Sequence, residues 1–165
     1  MFGLLRRWRR VPAIPASDWL ATRARVPWVA RLDPDRDARL QALAARFLHE
    51  KAITPLAGLA LDDVDRCVLA ALCCLPLLEY GANGLRGWSQ LLVYPEAFRV
   101  QRSHTDAAGV LHEWEDELIG EAWGEGPLIL SWADVQGDLA DPRAGFCVAV
   151  HEMAHKLDVL DGLLD

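Results

Sequence analysis

The chain has 165 residues, 52% of them apolar, seven Trp and a net charge of −7. That length and apolar content predict one packed domain and exclude a disordered chain. The acidic balance excludes general nucleic-acid binding, which needs a basic face to neutralise phosphates.

The N-terminus carries Arg6, Arg7, Arg9 and Arg10. No long apolar segment follows, so it fails as a secretory signal and reads as a solvated arm. An acidic partner or a membrane surface is the other reading of that charge. Residues 1–31 are read as this arm plus one short helix near Ser17–Arg25, with Ser17 as its N-cap. Residues 32–165 are read as a single domain. In it, Asp33 can cap and Pro34 suits the first helical position. Leu40, Leu43, Ala44, Phe47 and Leu48 then repeat at helical spacing, predicting an amphipathic helix over Pro34–Lys51. His49, near its C-terminal end, reads as a dipole-favoured cation.

A second helix is expected from Asp62 or Asp63 to Leu78. It is apolar nearly all round after Arg66, hence central, and Pro76 kinks it or ends it early. Its run VLAALCCLPLL falls short of the roughly 20 residues a membrane span needs. Cys67, Cys73, Cys74 and Cys147 form no C-x-x-C pair, which argues against a zinc ribbon. Cys73 and Cys74 read as small core residues, and a reducing compartment fits. Gly81, Gly84 and Gly87 make a turn-rich link.

Strands are then expected over Gln90–Pro95, Gly109–Leu118 and Gly126–Trp132. The second is heavily charged and reads as an edge or solvent-facing strand. GPLILSW is either an edge strand open to an extended peptide or an interior strand. ADVQGDLADPRAG is a short helix or loop. The last helix, over Arg143–Leu157, contains HEMAH.

In that helix His151 and His155 are four apart and share one face, which suits two imidazoles on one Zn2+ ion. Glu152 is rotated from His151 by about 100°. It reaches a water beside the metal and serves as general base. The apolar FCVAV before the motif suits a buried active-site helix with the imidazoles facing inward. A catalytic zinc takes three protein ligands, so a third is needed. Asp161 follows His151 by ten, but Asp158 stands where a turn-forming Gly is needed. In a straight helix Asp161 lies about 9 Å along the axis from His155. Asp158 is better placed to orient an imidazole. His104 and His112 are conceivable ligands from strands, though more ordinary as polar strand or loop residues.

GFCVAVHEMAHKLDVLDG resembles the active-site helix of the Mlc titration factor A family of zinc-dependent peptidases. RFLHEKAITPLAGLALDDVDRCVLAALCCLPLLEYG resembles that family's paired helices. LLVYPEAF and GEAWGEGPLILSWADVQ resemble its sheet segments. The resemblance implies a zincin-like α/β fold, with helices packed on a small mixed sheet. It implies a cytoplasmic peptidase of the aminopeptidase type, acting on peptides, with His151 and His155 as zinc ligands and Glu152 as base. It also implies binding of Mlc, a glucose-responsive transcriptional repressor. The family's third ligand is a Glu on a helix well downstream, preceded by a Tyr thought to assist the transition state. Neither occurs before Asp165, so a C-terminally truncated member is expected. Two rival readings stand beside the peptidase: a regulatory module that sequesters a repressor, and a non-functional remnant.

Overall fold

A computed structural model describes residues 11–96, 102–105, 111–114 and 126–162. For 102–105, 111–114 and Asp161 the description covers the backbone alone. The arginines of the N-terminal arm lie outside it, as do both ends of the strand expected over Gly109–Leu118.

Helix α1 spans Ala16–Arg25 and the single turn α2 spans Pro27–Ala30. Pro15, not Ser17, occupies the cap of α1. The Pro15 carbonyl accepts from the N–H groups of Asp18 and Trp19, which leaves Ser17 already inside the helix. Trp19 turns inward and donates through Nε1 to the Asp37 carboxylate at 3.3 Å. Helix α3, Pro34–Glu50, matches its periodicity. The Asp33 carboxylate accepts from the Arg36 N–H at 2.9 Å, and Leu40, Leu43, Ala44 and Phe47 are buried.

A strand unread in the sequence follows at once: β1, Ala52–Pro55. Helix α4 is Asp63–Cys74. Asp62 and Asp65 close a reciprocal capping box at its start, with bonds of 2.7 and 3.0 Å. Every residue from Cys67 to Cys74 is buried, as expected of a central helix, and α4 packs against α1, α3 and α7. The proline effect is a break: α4 ends at Cys74, and a separate turn, α5, covers Leu77–Tyr80. A 3-10 turn over Ala82–Leu85 leads on, with Gly81 and Gly87 flanking it at φ 88° and 85°.

Strand β2 is Gln90–Tyr94; β3, Arg102–Thr105, and β4, Leu111–Trp114, form an antiparallel pair. Strand β5, Leu128–Ser131, runs straight into helix α6, Trp132–Ala140, so Trp132 opens a helix rather than ending a strand. Helix α7 is Val148–Asp161. The sheet β1-β2-β5 is wholly parallel, and the antiparallel pair forms a second sheet. Parallel neighbours need long crossovers, and α4 lies on the one between β1 and β2. In register, Leu91 faces Leu128 and Val93 faces Leu130. These four residues are the buried side of the sheet. Helix α3 meets β1, α7 meets β5, and α4 lies between those helices. This α/β architecture is consistent with the zincin-like expectation. Among the described residues no helix is long and apolar enough to cross a membrane.

Candidate metal centre

Helix α7 starts at Val148, five residues later than the spacing suggested, and the cause lies outside the helix. Gly145 takes φ 75° and turns the chain. The first N–H group, that of Val148, donates to the Asp138 carboxylate of α6 at 2.7 Å. Cys147 stands at the cap position, and Asp138 supplies the capping carboxylate. The C-terminal end is closed by Gly162 in the left-handed region, at φ 70°.

Burial divides α7 into two stripes. Ala149, Met153 and Lys156 are buried at helical spacing. His151 is exposed, while Glu152 and His155 are half-buried. The inward-facing imidazoles expected from the sequence are therefore corrected. Ala149, Met153 and Lys156 take the core face, and the polar motif runs from half-buried to exposed among the described residues. The expected apolar character of the helix start does hold: Ala149 is fully buried, and Cys147 and Val148 pack on the core.

The two imidazoles converge. Their Nε2 atoms are 3.1 Å apart, with ring centroids at 4.5 Å and planes at 87°. Zinc–nitrogen bonds of about 2.0–2.1 Å at a tetrahedral centre put two nitrogens roughly 3.3 Å apart. The pair thus fits one tetrahedral ion with a small adjustment. Glu152 follows His151 directly and is half-buried, between the exposed His151 and the buried Lys156 on the helix surface.

Among the described residues no three His, Cys, Asp or Glu side chains are grouped to hold a metal ion. Asp158 is exposed, and its side chain makes no hydrogen bond to either imidazole, so the orienting bond expected of it is not formed. Asp161 is the last residue of α7, on a helix that runs straight past His155. His104 and His112 face each other across the β3–β4 pair. The side chains of these three lie outside the description.

Three contributors were unread in the sequence. Asp138 caps the motif helix. Phe146 lays its ring against His151, with centroids 5.6 Å apart and planes tilted by 45°. Lys156, buried beside His155, donates to the Gly126 carbonyl at 2.7 Å, tying α7 to the entry of β5. Burial lowers its pKa, and the Glu152 carboxylate one turn away opposes that shift. Its ammonium also lies 6.0 Å from the Trp88 ring, over which Lys51 sits at 4.2 Å. Lys51 in turn donates to the carbonyls of Leu85 and Trp88. Only the Phe146 contact had a local signal, the spacing of a residue before a cap to the fifth residue after it.

The sequence profile of the glucose-regulated metallo-peptidases M90 matches residues 4–165. Mlc titration factor A of Escherichia fergusonii is 39% identical over 150 residues, which is 91% of this chain and 54% of that protein. The Mlc titration factor A of Enterobacter sp. (strain 638) is 40% identical over 137 residues, 83% of this chain and 51% of its own length. That of Salmonella arizonae is 36% identical over 156 residues, 94% of this chain and 61% of its own. The chain therefore spans about half the length of the curated relatives it matches.

Proposed function

The chain belongs to the glucose-regulated metallo-peptidase family M90, and from that premise we propose a zinc-dependent peptidase of the aminopeptidase type, working on peptides in the cytoplasm. The observation that carries this reading is the 3.1 Å approach of the His151 and His155 Nε2 atoms on one turn of α7. These two residues hold the ion. The third protein ligand is assigned to the part of the family's length that these 165 residues do not span. Zinc, when bound, supplies a Lewis acid that polarises the scissile carbonyl and brings the pKa of water down to about 7.

Glu152 takes the proton from the attacking water and passes it to the leaving amine. Its position next to His151 on α7, half-buried, supports that role. Strand β5 has one strand neighbour, β2, among the described residues. Its other edge offers N–H and C=O groups that an extended peptide can pair with. Ile129, 43% exposed, provides apolar surface there. The aminopeptidase type rests on the family resemblance of the residues around the motif.

Glu152→Gln keeps the size of the side chain and removes the base. Hydrolysis of short unblocked peptides should fall by about 10²–10⁴-fold with zinc content unchanged. Full hydrolysis by this variant would sink the mechanism.

The relatives' name, Mlc titration factor A, favours a second reading, in which the fold sequesters an Mlc-like transcriptional repressor. Repressor binding that persists in Glu152→Gln and under chelation would support a module independent of the peptidase chemistry. Binding lost on chelation would count against it.

A further inference from the structure

We propose that Phe146 is a positioning residue for His151, setting which edge of the imidazole is presented to a metal ion. The inference rests on the zinc reading of His151 and deepens it.

Histidines that ligate metals almost always fix their ring by donating from the other nitrogen to a carboxylate, a carbonyl or water. Among the described residues, His151 has no such protein partner. Its one nitrogen contact is to His155. Asp158, the carboxylate whose spacing suits the task, is exposed on the same helix and bonded to neither ring. What His151 does have is an aromatic neighbour. The Phe146 centroid lies 5.6 Å from that of the imidazole, inside the roughly 4.5–7 Å range of attractive ring pairs.

Among the described residues the aromatic contact to His151 is the one ring contact of Phe146. Phe146 is 51% exposed and belongs neither to the core nor to the apolar side chains packed around it. Its place in the chain explains the contact. Cys147 caps α7, so Phe146 precedes the cap and His151 is the fourth helical residue. Those two positions pack together at many helix starts. Here the second member is an imidazole, so the contact that fixes the entry of the chain also restricts rotation of the ring. The ring is held with Nε2 toward His155.

A purely structural staple needs only an apolar side chain, whereas orientation of the imidazole needs a flat ring. Phe146→Leu separates these roles, and Phe146→Tyr serves as the conservative control. Two readouts apply to the 165-residue chain. The first is proton NMR of the metal-free chain: the His151 ring protons should show a ring-current displacement that Phe146→Tyr keeps and Phe146→Leu loses. The second is zinc affinity by competition with a chelating dye. Phe146→Leu should weaken it by about tenfold, the low end for loss of a ligand-orienting contact, with the metal-free melting temperature unchanged. Phe146→Tyr should bind as the wild type does. Equal zinc affinity in Phe146→Leu and wild type would overturn the proposal, as would the absence of the ring-current displacement. Because the third ligand is assigned to a part of the family's length that these residues do not span, a wild-type 165-residue chain that binds no zinc leaves the zinc reading standing, and the NMR comparison then decides the role of Phe146: a displacement kept in Phe146→Tyr and lost in Phe146→Leu supports it, and no displacement overturns it.

Discussion

At the scale of single residues, space decides as much as chemistry. Gly84 reads as one of three turn glycines in its stretch, yet its φ does not require glycine. Its constraint is packing. A Cβ there would lie 2.3 Å from Leu77 Cδ2 and 2.7 Å from Leu157 Cδ2. The 3-10 turn approaches α7 through this missing side chain. Gly84→Ala should therefore cost about 1–3 kcal/mol, as overpacking does in a dense interior. Urea midpoints of the two proteins would check this, and equal midpoints would mean that the leucines move aside freely. The lysines carry the same lesson. Lys51 and Lys156 each direct their ammonium to backbone carbonyl groups in the interior rather than to water. Burial lowers both pKa values.

At the scale of the element, α7 is two helices in one. Its core stripe holds it to the sheet and to α4, and the stripe beside it carries the exposed His151 and the half-buried Glu152 and His155. Stability and chemistry should therefore separate under mutation. Met153 is fully buried, and Met153→Ala should cost about 2–5 kcal/mol. His151→Ala, at an exposed position, should stay within about 0.5 kcal/mol in the metal-free protein. Chemical denaturation in the presence of a chelator measures both. A larger loss for His151→Ala than for Met153→Ala would reverse the assignment of the two faces.

At the scale of the whole molecule, the buried thiols make stability depend on pH. Burial, helped by the Asp18 and Asp63 carboxylates, raises Cys67 from 9.0 to about 11. Burial raises Cys73 and Cys74 as well. Between 9.0 and about 11 the unfolded chain has begun to shed the Cys67 proton that the folded chain keeps. The folded state then binds more protons, so stability falls as pH rises through this window. Cys67→Ala removes that contribution and should show a shallower decline over the same range. Parallel slopes in denaturant titrations of the two proteins would show that the thiol does not govern the loss.

Much of the local order was written in the sequence. The caps at Asp33 and Asp62, the periodicity of α3, the apolar run of α4 and the four-residue spacing of His151 and His155 all act within one or two turns. Backbone geometry repeats at that range, so residue identities alone suffice. The remainder depended on partners far along the chain. The Ala52–Pro55 segment is a strand because Gln90–Val93 lies beside it, and four residues without a pairing partner carry no strand signal. The outward turn of the HEMAH face and the late start of α7 were decided in the same way, by which surface of the helix met the core and by a carboxylate on α6. The sequence determined the four-residue spacing of His151 and His155 in this member of the M90 family. Only the tertiary structure decided which way that spacing faces, because burial is a property of what packs against a residue.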